Sequence, residues 1–475
     1  MTDLAPTDGI PGPSPGPMGS GAAGRDAVGG IGDVHQAGAV DRGRVVRRLL
    51  LVALLAFAGR ALYVLTVLQH EEFPGTAEVR IELSRSFDEL YYVGGAEALA
   101  RGDGFRFPLL TPATEQAPHP PLTSVALAPV AALTDDELPM RLLVAAVGAL
   151  VVLLAGLVAL AVAGPGVAYV AAGVAALYPN LWMNDGLLMS ETFAAAGTAG
   201  ALWCSYRWIA TRQWGWATAA GVACALAALS RAELALLVPV MVLPVILTAR
   251  TVPRWQRVRH AAAAGAAALV VVSPWVLYNL HRFEEPVLLS HADGDVLAGA
   301  NCDTTYHGEW LGFHHGSCGD IEPDELPLER SVRAAHNREV ALEYIGDNLD
   351  RVPVVVAARV GRMWGFYGQG QMARFAQSEG RPVAASVAGL AVYWALVPLA
   401  VVGLRSLWRQ RVNALPLLAP FVVVTLNAVL FFGFTRHRVG AEVPLVVLAA
   451  VGLTRLGDAV RRRRTGGTGP RHQVA

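Results

Sequence analysis

The sequence predicts an all-helical integral membrane protein, a bundle of about ten spanning helices. Three observations predict it. Of 475 residues, 54% are hydrophobic and only 16% charged, where soluble chains carry roughly a quarter charged residues. The shortage is uneven, since apolar runs about as long as a bilayer is thick recur from Leu49 to Leu456. Finally, the connections between these runs are alternately basic and acidic. A soluble multidomain enzyme and a disulfide-stapled scaffold are excluded.

Residues 1–43 are rich in Gly and Pro and poor in large apolar residues. They bury too little to offset chain entropy and are expected to be a disordered tail. The first apolar run starts late and has no small-residue cleavage site behind it, so it reads as a retained anchor. Spans are expected near 48–68, 139–163, 165–181, 187–209, 215–230, 233–249, 260–279, 385–404, 413–433 and 440–457. Several fall short of about 20 residues. The apolar segment 121–133 is shorter still and reads as a half-helix at the interface. Residues 351–367 alternate Val/Ala runs with Arg351, Arg359 and Arg362 and read as an amphipathic interfacial helix. Its arginines are expected at headgroups, as simple anchors or as contacts to a donor lipid. One membrane domain, 44–460, is thus predicted between the first tail and a basic tail at 461–475, with two long loops at 69–138 and 280–384.

Charge placement orients the bundle. With both tails in the cytoplasm, Arg207, Arg212, Arg250, Arg254, Arg257, Arg259, Arg405, Arg409, Arg411 and the run Arg461–Arg464 fall on the cytoplasmic side. The two long loops hold most of the acids and fall outside. Counting 121–133 as a span would reverse everything downstream and put the basic loops outside. The plasma membrane, crossed many times, is the expected location. A net charge of zero argues against a nucleic-acid partner. All 38 basic residues are Arg, so Arg can stand where other chains use Lys. Cys204 and Cys224 read as small core residues.

Chemistry-bearing residues gather on the outer side. Ser86-Phe87-Asp88-Glu89-Leu90-Tyr91-Tyr92 opens a helical stretch in the first loop, and His119-Pro120-Pro121-Leu122 opens the half-helix. Asp88 reads either as a helix cap or as a functional carboxylate set among aromatics where the chain has just left the bilayer. Arg231 lies between two apolar helices with almost no loop, a position where a charge is costly, although Glu233 stands ready to neutralise it. Ser273-Pro274-Trp275 leads to Asn279 and Arg282, and Arg436-His437-Arg438 precedes Glu442 and Pro444. Arg436 and Arg438 read as anion ligands or as side chains reaching for headgroups. Asp185 and Glu191 follow Tyr178-Pro179, where acids can cap the next helix.

The order of these motifs resembles the GT-C membrane glycosyltransferases, in particular the branch of protein O-mannosyltransferases and lipid A aminoarabinose transferases. The resemblance covers about 45–457. It implies a GT-C-like bundle and an enzyme that moves a hexosyl or pentosyl group from a polyprenyl-phosphate carrier to a hydroxyl acceptor in the cell envelope. The site then faces outward, with inversion at the anomeric carbon and no cofactor or metal. The family's base falls on Asp88, with Glu89 supporting geometry or the acceptor. The physics agrees: an attacking hydroxyl must lose a proton to a carboxylate in reach, and a phosphate leaving group needs cations rather than the acid of a glycosidase pair. Arg231, Arg282, Arg436, Arg438 and His119 are the expected donor-phosphate ligands. His119 stands where relatives carry Lys, so its charge depends on pH. Tyr91, Asp185 and Glu191 are the cavity and acceptor candidates.

The loop 291–320 contains Cys302, Asp303, His307, His314, His315, Cys318 and Asp320. The spacing fits no zinc pattern. A Cys302–Cys318 disulfide is expected on an oxidising side, closing a loop for about 3 kcal/mol. Tyr306, Trp310 and Phe313 either form an acceptor platform or pack the loop. Two rival functions remain. One is a transporter or flippase of lipid-linked sugars, which would more typically show internal repeats and midplane charges. The other is a non-catalytic scaffold for envelope assembly. Membrane lipids are partners in every reading.

Overall fold

The computed structural model describes residues 42–68, 86–107, 114–316, 318 and 329–464. Of the tail expected to be disordered only Arg42 and Gly43 are described, and both are helical; its remainder, the start of the first loop, Asp320 and the tail beyond Arg464 lie outside these residues. Contacts group Val46–Ala475 as one unit; of the other, Met1–Val45, only the start of the first helix is described.

The described chain is helical apart from one two-residue ladder. Helix α1 spans Arg42–Tyr63, and α2, Phe87–Arg101, opens the first loop. Strands β1 (Arg106–Phe107) and β2 (Thr114–Glu115) pair antiparallel. There follow α3 (Leu122–Ala131), α4 (Leu138–Ala163), α5 (Pro165–Leu177), α6 (Pro179–Trp182), α7 (Glu191–Thr211) and α8 (Trp214–Ser230). The chain from Ala232 to Leu247 passes through a 3-10 turn and a π turn into α9 (Leu243–Leu247); Pro239 and Pro244 remove backbone donors there and prevent one regular helix. Helix α10 is Arg254–Arg282. The second long loop folds into α11 (Ala292–Ala300), α12 (Asp303–Tyr306), α13 (Arg330–Asp347), α14 (Val352–Met363) and α15 (Gln369–Ser378). Helices α16 (Val383–Arg409), α17 (Leu415–Leu430) and α18 (Val439–Arg464) complete the chain.

Helices occupy every segment expected to span. Among the described residues five of them, Arg42–Leu68, Leu138–Ala163, Arg254–Arg282, Val383–Arg409 and Thr435–Arg464, are long and apolar enough to cross a membrane by length and composition. Helix α7 is long but carries Thr192, Thr198, Ser205 and Arg207. The others are shorter. Helix α3, at 10 residues, is about half a span.

Helix α18 is the axis of the bundle: it packs on α16, α5, α17, α4 and α7, and most of it is buried. Small residues let it approach so closely. A Cβ on Gly403 of α16 would collide with the carbonyl oxygen of Leu448, and one on Gly452 of α18 with that of Leu399. Close backbone contact of this kind drives helix association where lipid offers no hydrophobic gain. On the outer flank, α2 is fixed to α3 and α4 by a cluster of Val93, Ala96, Leu127, Met140, Val144, Leu188 and Phe193. Ser124 Oγ donates to the carbonyl of Tyr92 at 3.1 Å. This packing holds the start of α2, and hence Asp88, against the bundle.

Candidate active site

Ser86 caps α2, its hydroxyl accepting from the Glu89 amide at 3.3 Å. Asp88 is therefore free of the capping task and projects toward the chain that enters α3. His119 Nε2 lies 3.0 Å from Asp88 Oδ1, and Arg436 Nη2 donates to Asp88 Oδ2 at 2.7 Å. Tyr91 and Tyr92 bracket the imidazole at 5.6 and 5.3 Å between ring centroids. Tyr91 is thus buried behind His119 and does not face an open cavity. About a fifth of the Asp88 side chain stays accessible. Burial opposes its ionisation, but Arg436 and His119 prevail and hold the carboxyl well below the usual carboxylate range.

A network extends from this pair. Arg436 Nη1 reaches Glu379 at 2.7 Å and Glu191 at 3.8 Å. Arg231 lies 2.7 Å from Glu233 and 3.5 Å from Glu191. Arg381 meets Glu191 at 3.3 Å, pairs with Glu379 and donates to Asn184 Oδ1 at 2.8 Å. Burial raises the Glu379 carboxyl above its ordinary value, although Arg436 and Arg381 pull it down. Glu191 is ringed by three guanidiniums, yet neither of its oxygens accepts an aligned hydrogen bond. Arg381 and Glu379 escaped the sequence reading. Their signal was an acid and a base two residues apart, directly before the apolar run of α16 and at the same end of the bundle as the other motifs.

Beside this network lies a cavity of about 200 Å³. One wall is polar, with Asn180, Asn184, Arg381 and Arg436. The other is apolar, with Met372 of α15 and with Leu390 and Val387 of α16, the last 55% exposed on the outer surface of the bundle.

Other expected site residues stand elsewhere. Glu89 is buried and receives Arg141 at 2.9 Å, and the same guanidinium meets Glu137 at 3.0 Å and the carbonyl of Gly186 at 2.8 Å. Successive helix residues point about 100° apart, so Glu89 ties α2 to α4 while Asp88 faces the site. Arg282 is also removed. It donates to Glu115 at 2.7 Å, to the carbonyls of Phe105 and Gln116 and to Asn279, with Tyr278 and Phe283 against its planar faces. It clamps the approach to His119 and has no donor left for a phosphate. Arg438 touches the cavity, but Glu442 binds it at 2.7 Å, Tyr393 stacks on it, and Tyr178 donates to the same Glu442. Asp185 turns to Arg60 of α1 and accepts from Thr192 at 2.9 Å. Burial pushes its carboxyl up to about 6 against the pull of Arg60.

The second loop corrects two further expectations. Arg359 and Arg362 do not reach headgroups, because both are buried. Arg359 donates to the carbonyls of Val429 and Ala300 and to Asn301 Oδ1, and Arg362 to those of Leu311 and Glu309 and to Gln371. Tyr306 and Phe313 are buried as well. Phe313 packs with Phe375, Phe432 and Phe434, and Phe434 lies under Arg436, so these rings join the loop to the site instead of forming an open platform. Cys302 and Cys318 are disulfide-bonded. Among the described residues no group of His, Cys, Asp and Glu is arranged to hold a metal ion.

A family model described as dolichyl-phosphate-mannose-protein mannosyltransferase matches residues 118–278, which include His119, Asp185, Glu191 and Arg231. No curated protein matches the chain by sequence. Among solved structures, the oligosaccharyltransferase AglB from Archaeoglobus fulgidus, in complex with an inhibitory peptide and a dolichol-phosphate, is 14% identical at a TM-score of 0.51, covering 90% of this chain and 52% of that one. The same enzyme tethered to an acceptor peptide gives 15% and 0.50, again over 90% and 52%. The chain thus spans about half the length of that relative. ArnT from Cupriavidus metallidurans bound to undecaprenyl phosphate is 16% identical over 89% and 81% of the two chains, at a TM-score of 0.39. The likeness to the oligosaccharyltransferase shows the fold: a GT-C-like membrane protein.

Proposed function

We propose that this protein is a glycosyltransferase of the outer face of the plasma membrane, moving one sugar from a polyprenyl-phosphate carrier to a hydroxyl acceptor of the cell envelope with inversion. The observation that carries the reading is Asp88, partly accessible and held between His119 and Arg436, next to a cavity that is polar at the Arg436 wall and apolar where it meets the bundle surface. A lipid phosphate has the same two-part character.

In this reading the prenyl chain lies along Val387 and Leu390, and the phosphate meets Arg381 and Arg436. The acceptor oxygen attacks the anomeric carbon from the face opposite the phosphate. A carbon–oxygen bond forms there as the bond to the phosphate oxygen breaks. Asp88 takes the hydroxyl proton, and the polyprenyl phosphate leaves with its electron pair, stabilised by guanidinium forks. Arg436 has a double task, since a phosphate competes with Asp88 for its donors. A bound donor draws Arg436 away and leaves Asp88 a stronger base at the moment it is needed. His119 keeps the carboxylate aimed. Both tails are cytoplasmic, and the Asp88 end of the bundle is external.

The test is to incubate purified protein with a panel of polyprenyl-phosphate sugars and follow which is consumed, with Asp88→Asn in parallel. One sugar carrier should be turned over, and the variant should lose transfer by about 10²–10⁴-fold while melting at the wild-type temperature. Undiminished transfer by Asp88→Asn would remove Asp88 as the base. Consumption of no donor by a folded wild type would sink the reading.

A further inference from the structure

The end of the bundle away from Asp88 has a site of its own. Helices α7 and α8 each have one end in the Asp88 network, at Glu191 and Arg231, and α10 ends at Arg282, which clamps the approach to His119. Their opposite ends meet around an open groove of about 700 Å³, lined among others by Arg212, Trp214, Trp216, Trp255, Arg259 and His260. The 21 residues of α7 separate the two ends by about 30 Å, the thickness of a hydrocarbon core.

The groove is built from arginines laid on indoles. The guanidinium carbon of Arg207 lies 5.1 Å from the Trp216 ring centre, that of Arg212 4.8 Å from Trp208, and that of Arg259 5.6 Å from Trp255. Trp208 is buried and donates to His260 Nδ1 at 3.1 Å, which makes that wall rigid. Trp214 and Trp255 are more than half exposed. There is no Asp or Glu from Thr192 to Ala232 or from Leu234 to Phe283, so α7 beyond its first residue, α8 and α10 bring no carboxylate to these cations.

Arg212 adds a second sign. It ends α7 at φ 57°, ψ 18°, in the left-handed region that costs a side chain about 1 kcal/mol or more and that glycine adopts freely. This left-handed cap ends the helix, as it also does at Arg411 after α16, and here it leaves the Arg212 side chain on the groove wall.

We propose that this groove binds the headgroup of an anionic phospholipid of the leaflet at that end. An arginine stacked on an indole is shielded on one face and keeps its N–H donors in the ring plane, aimed outward, where a phosphodiester accepts two. Exposed indoles sit at headgroup depth and cover the glycerol region. A zwitterionic headgroup brings its own ammonium and is disfavoured among cations to which α7 beyond its first residue, α8 and α10 bring no carboxylate, and free phosphate has no chain to lie on Trp214 and Trp255.

The test uses the full chain in nanodiscs of phosphatidylcholine with a minor share of phosphatidylglycerol, counting the lipids that stay bound in native mass spectrometry. Wild type should retain phosphatidylglycerol. The pair Arg212→Gln with Arg259→Gln should lower its ratio to phosphatidylcholine at least fivefold. So should Trp214→Ala with Trp255→Ala, each pair melting like wild type in phosphatidylcholine alone. The pair Arg405→Gln with Arg409→Gln, at the same end but outside the groove, should change the ratio less than twofold. Equal losses in both arginine pairs would mean diffuse attraction and overturn the site, as would no loss in either groove pair. Competition by millimolar inorganic phosphate would reassign the groove to a soluble anion.

Discussion

The arginines around Asp88 and those of the shell built by the second loop are comparably buried but bound in different ways. Arg231, Arg381 and Arg436 face carboxylates, several at 3.3–3.8 Å, and Glu191 among them accepts no aligned bond. Arg359 and Arg362 face carbonyl oxygens and amides at 2.6–3.2 Å, and among the described residues no carboxylate forms an ion pair with them. A carboxylate can be exchanged for a phosphate at little cost in charge, whereas a backbone carbonyl cannot move away without undoing the fold that offers it. The first set is therefore a network that an anion can rearrange, and the second is a set of pins. Burial alone does not tell the two apart; the chemistry of the partners does.

Breaking a pin should affect stability and leave chemistry alone. Arg359→Met strips donors from the carbonyls of Val429 and Ala300, each costing about 1–3 kcal/mol when left unsatisfied. The protein should melt markedly earlier, while transfer per folded molecule stays within twofold of wild type. A site arginine should do the reverse. Arg436→Lys keeps the charge but loses the fork that spans Asp88 and Glu379. Loss of one charge-assisted bond, about 1.5–3 kcal/mol, predicts transfer lower by roughly 10- to 100-fold at nearly unchanged melting temperature. A Lys variant that transfers normally, or a Met variant that melts normally, would dissolve the distinction.

The same comparison has a pH signature. The Asp88 carboxyl is held well below its ordinary value, with burial opposed by Arg436 and His119. A depressed acid stays ionised, and lends its stabilisation, until pH falls through its folded value. Transfer by wild type should thus show no acid limb attributable to Asp88 between pH 7 and 5. Arg436→Gln removes the leading attraction and leaves burial to act, so the acid limb should move to higher pH than in wild type. A profile of kcat/KM against pH reads the shift directly. An unmoved limb would show that Arg436 does not govern Asp88.

Much of this arrangement was legible in the sequence. The apolar runs located the helices, and the charge bias brought Asp88, His119, Arg231 and Arg436 to one end. What it could not supply was partners. Arg282 had the right side and residue type, yet Glu115, far away in sequence, claims it. Arg438 could have been discounted from sequence alone, because Glu442 is four residues on and shares its helical face. Glu89 looked like a partner of Asp88 because it is adjacent, but adjacency on a helix separates side chains. Arg359 and Arg362 read as headgroup ligands because an amphipathic pattern shows which face is polar and not what covers that face. Here it is covered by the chain around Ala300–Leu311 and by Val429 and Gln371.

The smallest expected effect concerns the disulfide, and it asks how firmly the shell must be held for the site to work. Cys302 and Cys318 close a short loop from which Tyr306 donates to Asn301, just before it, and Phe313 packs into the ring cluster beneath Arg436. Closure of a loop this size contributes about 3 kcal/mol at most, but much of the loop is already held independently by Arg362 and by Arg351, the latter donating to the Tyr306 carbonyl at 2.9 Å, while Arg359 holds Ala300 and Asn301 just before it. Reduction, or Cys302→Ser with Cys318→Ser, should therefore loosen residues near 302–318 while the pins keep Phe313 in place. Faster hydrogen exchange confined to that segment, with transfer lowered less than threefold, is the expected result. A tenfold loss of transfer would mean that the bond itself holds Phe434 and Arg436 in register, and the shell would then belong to the site it surrounds.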